Sequence, residues 1–574
     1  MAFRTVSVST FLALGLTLWS SALLASEELR QRLEALNQGH PVTAFGEPLM
    51  AREALFNFYH ERAYTPAWDS ADHRRQMVAA IARAAEDGLE PNDYHVAPLR
   101  DLLEQPLESL QPTERVDLDL LLSDSFLMLA SHLLEGKVNP ESIDAEWLAN
   151  RRQRLMAPVL TEALASADLT SQLAALRPAQ AGYAALLAAR ASLLPLLTLD
   201  WSPLPAGPAL KPGMVDDRVP ALRQRLVALG DLPPEAVSED TAELAVDPVA
   251  EDLTGLPAVL PETADARLYD EALQASVRRF QARHGLEDDA VVGRDTLSAL
   301  NVSPGRRLQQ VDLNLERWRW LPDQLGDTHV MVNIAGFEMR VMANGEERLR
   351  KRVIVGRPYR RTPVFSDQIR YLVFNPTWTV PRKLMVQDKL PEIIADPDYL
   401  NRLGFTVYDG WGADRQVVDP LSIDWTALTP RNFPYQLVQE PGPENALGQV
   451  KFMFPNKFDV YLHDTPARDL FSQTERSFSS GCIRVEDPLT LAAILLADDP
   501  AWTPERIQQL VDSKKLTTVT LKKPVPVHLE YWTAWVDEAG HLHFRKDIYQ
   551  RDDRLLLALR TPLNPMPAVV AENP

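Results

Sequence analysis

The hydrophobic repeat of this chain changes period part-way along its length, and a helix and a strand cannot share one repeat. In the first 200 residues apolar side chains recur at three- and four-residue steps, as in Leu118, Leu121, Leu122, Phe126, Leu129 and Leu133, before Gly136 and Pro140 stop the run. From residue 306 onward the step is two: Val330, Val332 and Ile334, then Phe337, Met339 and Val341, then Ile369, Tyr371 and Val373. An α+β multidomain protein is expected, with a helical scaffold followed by a mainly-β unit. Its 574 residues, at roughly 150 per domain, leave room for three or four units.

The scaffold is expected over 27–200, its aromatic group Phe56, Phe58, Tyr59, Tyr64 and Trp68 reading as core. Pro203, Pro205, Pro208 and Pro212 then make a stiff linker. A small helical domain comes next, over 211–303. Its helices carry Val219, Leu222, Leu226 and Leu229, then Leu273, Val277 and Phe280, around a polar insertion from about 236 to 266. The mainly-β unit runs over 306–525. Between Trp378 and Asn445 its alternation lapses, which predicts a subdomain inserted over about 382–445 and of a size that suits a lid. Residues 526–574 read as a C-terminal β and tail extension.

The N-terminus runs from Arg4 through an apolar stretch, Phe11 to Trp19, to small residues. Residues 1–25 therefore read as a signal peptide, cleaved after Ala22 or Ala25, and place the protein in the periplasm. An uncleaved inner-membrane anchor is the alternative, although the run falls short of the about 20 residues that a span needs. No other stretch reads as a span. The formal net charge of −20, with no basic stripe interleaved with aromatics, excludes nucleic acid as a partner.

An exported chain with a single cysteine cannot make an internal disulfide, so Cys482 stays a free thiol and needs a chemical reason. Val460-Tyr461-Leu462-His463 reads as a strand end, with Tyr461 and His463 on one face and Val460 and Leu462 toward the core. Phe478-Ser-Ser-Gly-Cys482-Ile-Arg484 comes nineteen positions later, and Gly481 lets the cysteine stand on a tight turn. A thiol with its reference pKa of about 8.5 is mostly protonated at neutral pH, and an adjacent imidazole supplies the base that makes the thiolate. Two rival sites lose. Ser479 or Ser480 with His463 and Asp464 would be a serine triad, but on a strand Asp464 points away from the His463 ring. His541 and His543 lack a third metal ligand of obvious spacing, so no metal and no cofactor are expected.

Two resemblances add to this reading. Val277, Phe280, Gln281, Gly285, Leu286, Asp289, Gly293 and Thr296 stand in the pattern of the peptidoglycan-binding helical module, with Ala290 in place of the usual glycine. The run from Pro441 to Gly448, Lys451 to Asn456, Tyr461 to Pro466 and Ser479 to Arg484 resembles the L,D-transpeptidase catalytic domain (YkuD-like). Asn314 to Pro322, Val355 to Pro358, Thr362-Pro363 and Asn375 to Trp378 extend that resemblance, and the N-terminal scaffold is similar to that of the large periplasmic members.

The resemblance implies Cys482 as nucleophile and His463 as general base and acid. It also implies Gly481 and Cys482 backbone N–H groups as oxyanion donors, with Tyr461 as a second donor. Ser480 stands where the family usually has histidine, and Arg484, in a position the family fills with a polar residue, suits either a stem-peptide carboxylate or a structural ion pair. The implied reaction joins peptidoglycan stem peptides, donor tetrapeptide and acceptor, in 3→3 cross-links through a cysteine thioester. Alternatives are an L,D-carboxypeptidase on the same site and a non-catalytic peptidoglycan-binding protein. A carbapenem is an implied covalent ligand, and the resemblance leaves room for cell-wall synthesis proteins as partners.

Overall fold

The computed structural model describes residues 24–103, 105–148, 151–234 and 265–563. The expected signal peptide, apart from its last two residues, and nearly all of the 236–266 insertion lie outside them, as does the tail from 564.

The scaffold is built on α1 (Pro112–Glu135), whose side chains are buried along most of its length. Gln111 and Glu114 form a capping box at its start, and Gly136, at φ 86°, ends it. Leu118, Leu121, Phe126, Leu129 and Leu133 enter one core with Leu55, Phe58 and Tyr59. The scaffold closes with α2 (Ala181–Leu193). In the helical module, Asp270 caps α3 (Glu271–Arg283) by accepting from Leu273 N at 2.9 Å, and Leu273, Val277 and Phe280 pack on Leu222 and Leu226. Ala290, where the resembling module has glycine, sits at φ 63° and is fully buried. A left-handed alanine costs on the order of 1 kcal/mol, so this position does call for glycine and the module tolerates its absence.

The structure corrects the expectation of strands from residue 306. Residues Pro304–Arg319 form α4, capped by Ser303, and the first strand of the β unit begins at Thr328. Val311, Leu315 and Trp318 recur at helical steps and pack on Tyr183, Leu186 and Leu193 of α2. Length and composition alone make Ala181–Thr198 apolar enough to cross a membrane, a stretch that the sequence reading passes over. In the fold its apolar side rests on α4, and Arg190 pairs with Asp312 at 2.6 Å. Beside that contact, Arg319 and Glu316 of α4 form a fully buried pair at 2.8 Å; Arg319 also donates to the Tyr183 hydroxyl of α2 and Glu316 accepts from Val138 N of the scaffold. Removing one partner of such a pair strands the other charge at a cost of about 3–5 kcal/mol.

Nine strands make the catalytic sheet: β1 (Thr328–Asn333), β2 (Glu338–Ala343), β3 (Glu346–Gly356), β4 (Phe365–Phe374), β5 (Val450–Met453), β6 (Leu462–His463), β7 (Ser477–Ser479), β8 (Ile483–Val485) and β9 (Thr517–Glu530). The order is β7-β3-β8-β6-β5-β4-β9-β1-β2, and β2 pairs back with β3, so the ladder closes on itself. Val519, Leu521, Val525, Val527 and Leu529 of β9 point into the common core. The boundary drawn at 525 therefore cuts a strand: β9 continues to Glu530 and pairs there with β1 in parallel. The described residues beyond β9, 531–563, are packed against the rest of the unit. A hairpin, Ala534–Val536 with Leu542–Phe544, leads to α5 (Asp552–Arg560), and Arg317 of α4 holds Asp552 at 2.5 Å.

The insertion is a subdomain with its own core, including Met385, Leu400, Val407, Trp425 and Leu437. Its four strands are ordered Trp378–Thr379, Tyr435–Gln439, Phe405–Asp409 and Gln416–Val418. It therefore begins at Trp378, a few residues before the expected 382, because Trp378 already pairs with Gln439.

Candidate active site

Two short strands bring the candidate residues together. Strands β6 and β8 run parallel with Leu462 opposite Ile483 and His463 opposite Arg484, and Ile483 N donates to Tyr461 O at 3.1 Å. By two-residue alternation Tyr461, His463, Cys482 and Arg484 share one face of the sheet, while Leu462 and Ile483 are buried in the core. The turn before β6 is stapled by Asn456, whose Nδ2 donates to Phe454 O and Val460 O at 2.6 and 2.8 Å.

Cys482 is half-buried, and its Sγ lies 3.8 Å from Asp459 O. Burial pushes the thiol up to about 11, while the Tyr461 backbone and hydroxyl, and then the Arg484 charge, pull it back. The Tyr461 ring stands edge-on to His463, with centroids 5.6 Å apart. His463 is 5% exposed, and burial, then the charges of Arg484 and Lys451, press it down to about 3. The resting pair is thus a neutral thiol and a neutral imidazole. His463 Nδ1 donates to Asp464 O at 2.5 Å, which leaves Nε2 as the basic nitrogen. A backbone carbonyl, not a side chain, orients the ring. The expected thiol–imidazole hydrogen bond is not formed in this unliganded arrangement; the thiol meets Tyr461 and Asp459 instead. Such contacts commonly tighten only once substrate is bound.

The nucleophile turn is held from behind. Gly481 sits at φ 120°, open to glycine alone, although a Cβ there would meet only ordinary contacts. Its N–H donates to Ser479 Oγ at 3.1 Å, and that hydroxyl donates to Cys482 O at 2.5 Å. This corrects the expected use of the Gly481 N–H as an oxyanion donor, because it already has an acceptor. Ser480 is exposed and accepts from Arg360 Nη1 at 3.1 Å. Neither serine reaches His463, and the Asp464 carboxylate instead accepts from Gln449 N at 2.8 Å and pairs with Arg468. The serine-triad geometry is absent among the described residues. His541 and His543 both face Asp537, far along the chain from this turn.

A further chain of hydrogen bonds runs into the C-terminal segment. Thr362 Oγ1 donates to Gly481 O at 2.8 Å and accepts from Gly356 N at 2.9 Å. The Tyr549 hydroxyl donates to Gly356 O at 2.6 Å and accepts from Thr362 N at 3.2 Å. A Cβ on Gly356 would come within 2.2 Å of Arg360 O, so that crossing admits only glycine. Tyr549 lies beyond β9, which makes the supposed extension part of the site's frame.

Residues 327–516 match the family model described as the L,D-transpeptidase catalytic domain, YkuD. This part of the chain is a YkuD-family L,D-transpeptidase domain. Residues 53–189 match the scaffold domain, and residues 255–300 match the model described as "Putative peptidoglycan binding domain". A curated Haemophilus influenzae protein named "Putative L,D-transpeptidase" is 40% identical over 250 residues, 44% of this chain and 49% of that protein. The chain thus matches about half the length of that relative. An L,D-transpeptidase structure from Mycobacterium smegmatis is 13% identical, covering 36% of this chain and 58% of its own, with a TM-score of 0.17. One from Xylanimonas cellulosilytica is 15% identical, covering 57% and 98%, again at 0.17. Superpositions that weak carry no argument.

Three features of the L,D-transpeptidase domain escape the sequence reading. Lys451 on β5 is the register partner of His463 on β6, and its Nζ lies 5.6 Å from the Tyr461 ring centroid. The alternation of Val450, Lys451 and Phe452 could have placed it on the polar face, but not beside the thiol. Arg360 bridges Ser480 and Asp388 of the insertion, the latter at 2.7 Å. Finally, a groove of about 240 Å³ opens between the insertion and the barrel, walled by Trp378, Phe405 and Gln439 on one side and Thr465, Pro466 and Arg484 on the other.

Proposed function

We propose that the protein is a cysteine L,D-transpeptidase that forms 3→3 cross-links between peptidoglycan stem peptides. The observation that carries the proposal is the shared sheet face of Cys482, Tyr461, His463 and Arg484 in the L,D-transpeptidase domain, with Arg484 also lining the groove. In the first half-reaction Cys482 gives its proton to His463 Nε2, and Sγ attacks the carbonyl that joins the L-centre of diaminopimelate to D-alanine. The C–N bond breaks, the imidazolium returns the proton to the departing amine, and D-alanine leaves a thioester. An acceptor stem amine then attacks the thioester and restores the thiol. Water in its place would give the carboxypeptidase product. The substrate puts this chemistry outside the cytoplasmic membrane, in keeping with the apolar N-terminal segment, and the insertion is suited to gate the groove through Arg360.

Incubation of the mature protein with disaccharide-tetrapeptide, followed by mass spectrometry, tests the reading. Cross-linked dimer with released D-alanine is expected; only trimmed tripeptide would favour the carboxypeptidase, and unchanged substrate would reject both. Tyr461→Phe probes the oxyanion. The hydroxyl faces the thiol, so its loss is expected to slow acylation by about 10²–10³-fold with the melting temperature unchanged. Acylation at the wild-type rate would leave the backbone as the only donor.

A further inference from the structure

In a chain of net charge −20, the face that bears Cys482 is positive. Lys451 on β5 and Arg484 on β8 stand on either side of His463, and Arg484 is two residues along the chain from Cys482. Neither makes an ion pair or a side-chain hydrogen bond among the described residues, and Arg484 Nε is buried with no acceptor at all. Both are half-buried, which pulls each pKa down, and no carboxylate is among the groups that shift either; the acidic group that acts on both is the Cys482 thiol, which is neutral at rest. Arg357 adds a third positive charge next to Arg484, although it also acts on the Asp388 carboxylate, which Arg360 holds. The nearest acid to the thiol is Asp459, and it is paired with neither cation. Lys389, which also lines the groove, is already bound to Glu392 at 3.0 Å. Desolvated cations without partners are costly to keep, so an arrangement of this kind is completed by an anion.

We propose that Lys451 and Arg484 form a receptor for the terminal carboxylate of the residue that leaves when Cys482 is acylated. This rests on the acyl-transfer reading of the site. The leaving residue's carboxylate carbon is two bonds past the scissile nitrogen, within about 3–4 Å of the carbonyl carbon under attack. It is the negative group nearest the reacting atoms, and Lys451 and Arg484 are cations close enough to act on Cys482. Arg484 offers a planar fork for bidentate pairing, while Lys451 supplies a point charge. The receptor makes the enzyme an end-reader: a donor whose last residue continues into more chain, or is amidated, leaves both cations unsatisfied.

The test uses the full-length mature protein and two donors, the tetrapeptide with a free terminal carboxylate and the same peptide as its carboxamide. Binding to the Cys482→Ala protein is measured by calorimetry, and acyl-enzyme formation on Cys482 by intact mass. The carboxylate donor is expected to bind and react about 10–100-fold better than the carboxamide. Lys451→Gln and Arg484→Gln each shrink that ratio, the pair of substitutions brings it to unity, and Arg484→Lys keeps part of it. The ratio of the two donors is read within each variant, beside its melting temperature, which separates specificity from damage to the fold or to the catalytic pair. Turnover of both donors without discrimination, or equal losses on both in the variants, would overturn the receptor and leave the transpeptidase reading standing. Discrimination in binding without any acyl-enzyme would keep the receptor and reject the transpeptidase reading. No binding of either donor would overturn the receptor too.

Discussion

Cys482→Ala is expected to abolish acyl transfer, lowering acyl-enzyme formation and cross-linking by at least about 10⁴-fold, and Cys482→Ser to come close to it. The reason lies in the site's composition. Among the side chains on this face, Tyr461, His463, Lys451 and Arg484 can donate, accept or bind, but none is placed to take over as the acyl carrier. Ser479 and Ser480 are committed to Cys482 O and to Arg360. A seryl hydroxyl in place of the thiol is a far weaker nucleophile toward the same neutral base. Cys482 is half-buried on a turn held by Ser479, Thr362 and Gly481, so the alanine variant should melt within a few degrees of wild type. Intact-mass spectrometry after exposure to a carbapenem provides the check: one adduct on the wild type and none on Cys482→Ala. An adduct that persists on Ser479 or Ser480 would instead revive the serine mechanism.

The second large effect belongs to His463, whose removal is expected to cost about 10²–10⁴-fold in acylation. Its pH signature is more telling than its size. Burial and the charges of Arg484 and Lys451 hold the imidazole down at about 3, and its Nδ1 proton is fixed on Asp464 O. Because that value lies below the ordinary 6.5, lowering the pH from 8 to 5 does not protonate the base. The thiol, raised to about 11, stays protonated over the same window. The resting pair therefore keeps one protonation state, and wild-type acylation should be nearly flat between about pH 5.5 and 8. In His463→Ala the thiol must ionise unaided, so its rate should climb about tenfold per pH unit as the thiolate fraction grows. Acylation of Cys482 by the tetrapeptide donor, followed by intact mass across that range, distinguishes the two slopes. A wild-type profile that falls through pH 6.5 would mean an imidazole that titrates normally and sits in a wetter site.

Much of the site is legible without any fold. A lone cysteine on a glycine turn has few uses in a chain read as exported, and strand alternation correctly puts Tyr461 and His463 on one face, with Leu462 and Val460 in the core. The errors come where a local pattern stops short of its structural cause. The α4 stretch passes for strand territory because the clear alternation that begins at Val330 outweighs the helical steps of Val311, Leu315 and Trp318. The cut at 525 falls between Pro524 and Pro526, yet a register shift between Thr520 and Val525 lets β9 absorb both prolines. In sequence Arg484 is only one partner for a carboxylate, whereas its unpaired Nε is visible only once the neighbouring side chains are in place.

By itself the sequence determined the elements and the chemistry: a helical period, a strand period, one thiol and one histidine near a tight turn. These come from local rules, since period and turn residues act over a few positions. Only the tertiary structure decided what stands beside the thiol. Lys451 meets His463 through an antiparallel register, Arg484 through a parallel one, and Tyr549 reaches Gly356 and Thr362 from beyond the last strand of the sheet. Register and closure are set by how the buried faces of distant strands fit together, and a one-residue slip would turn every one of these side chains to the other face.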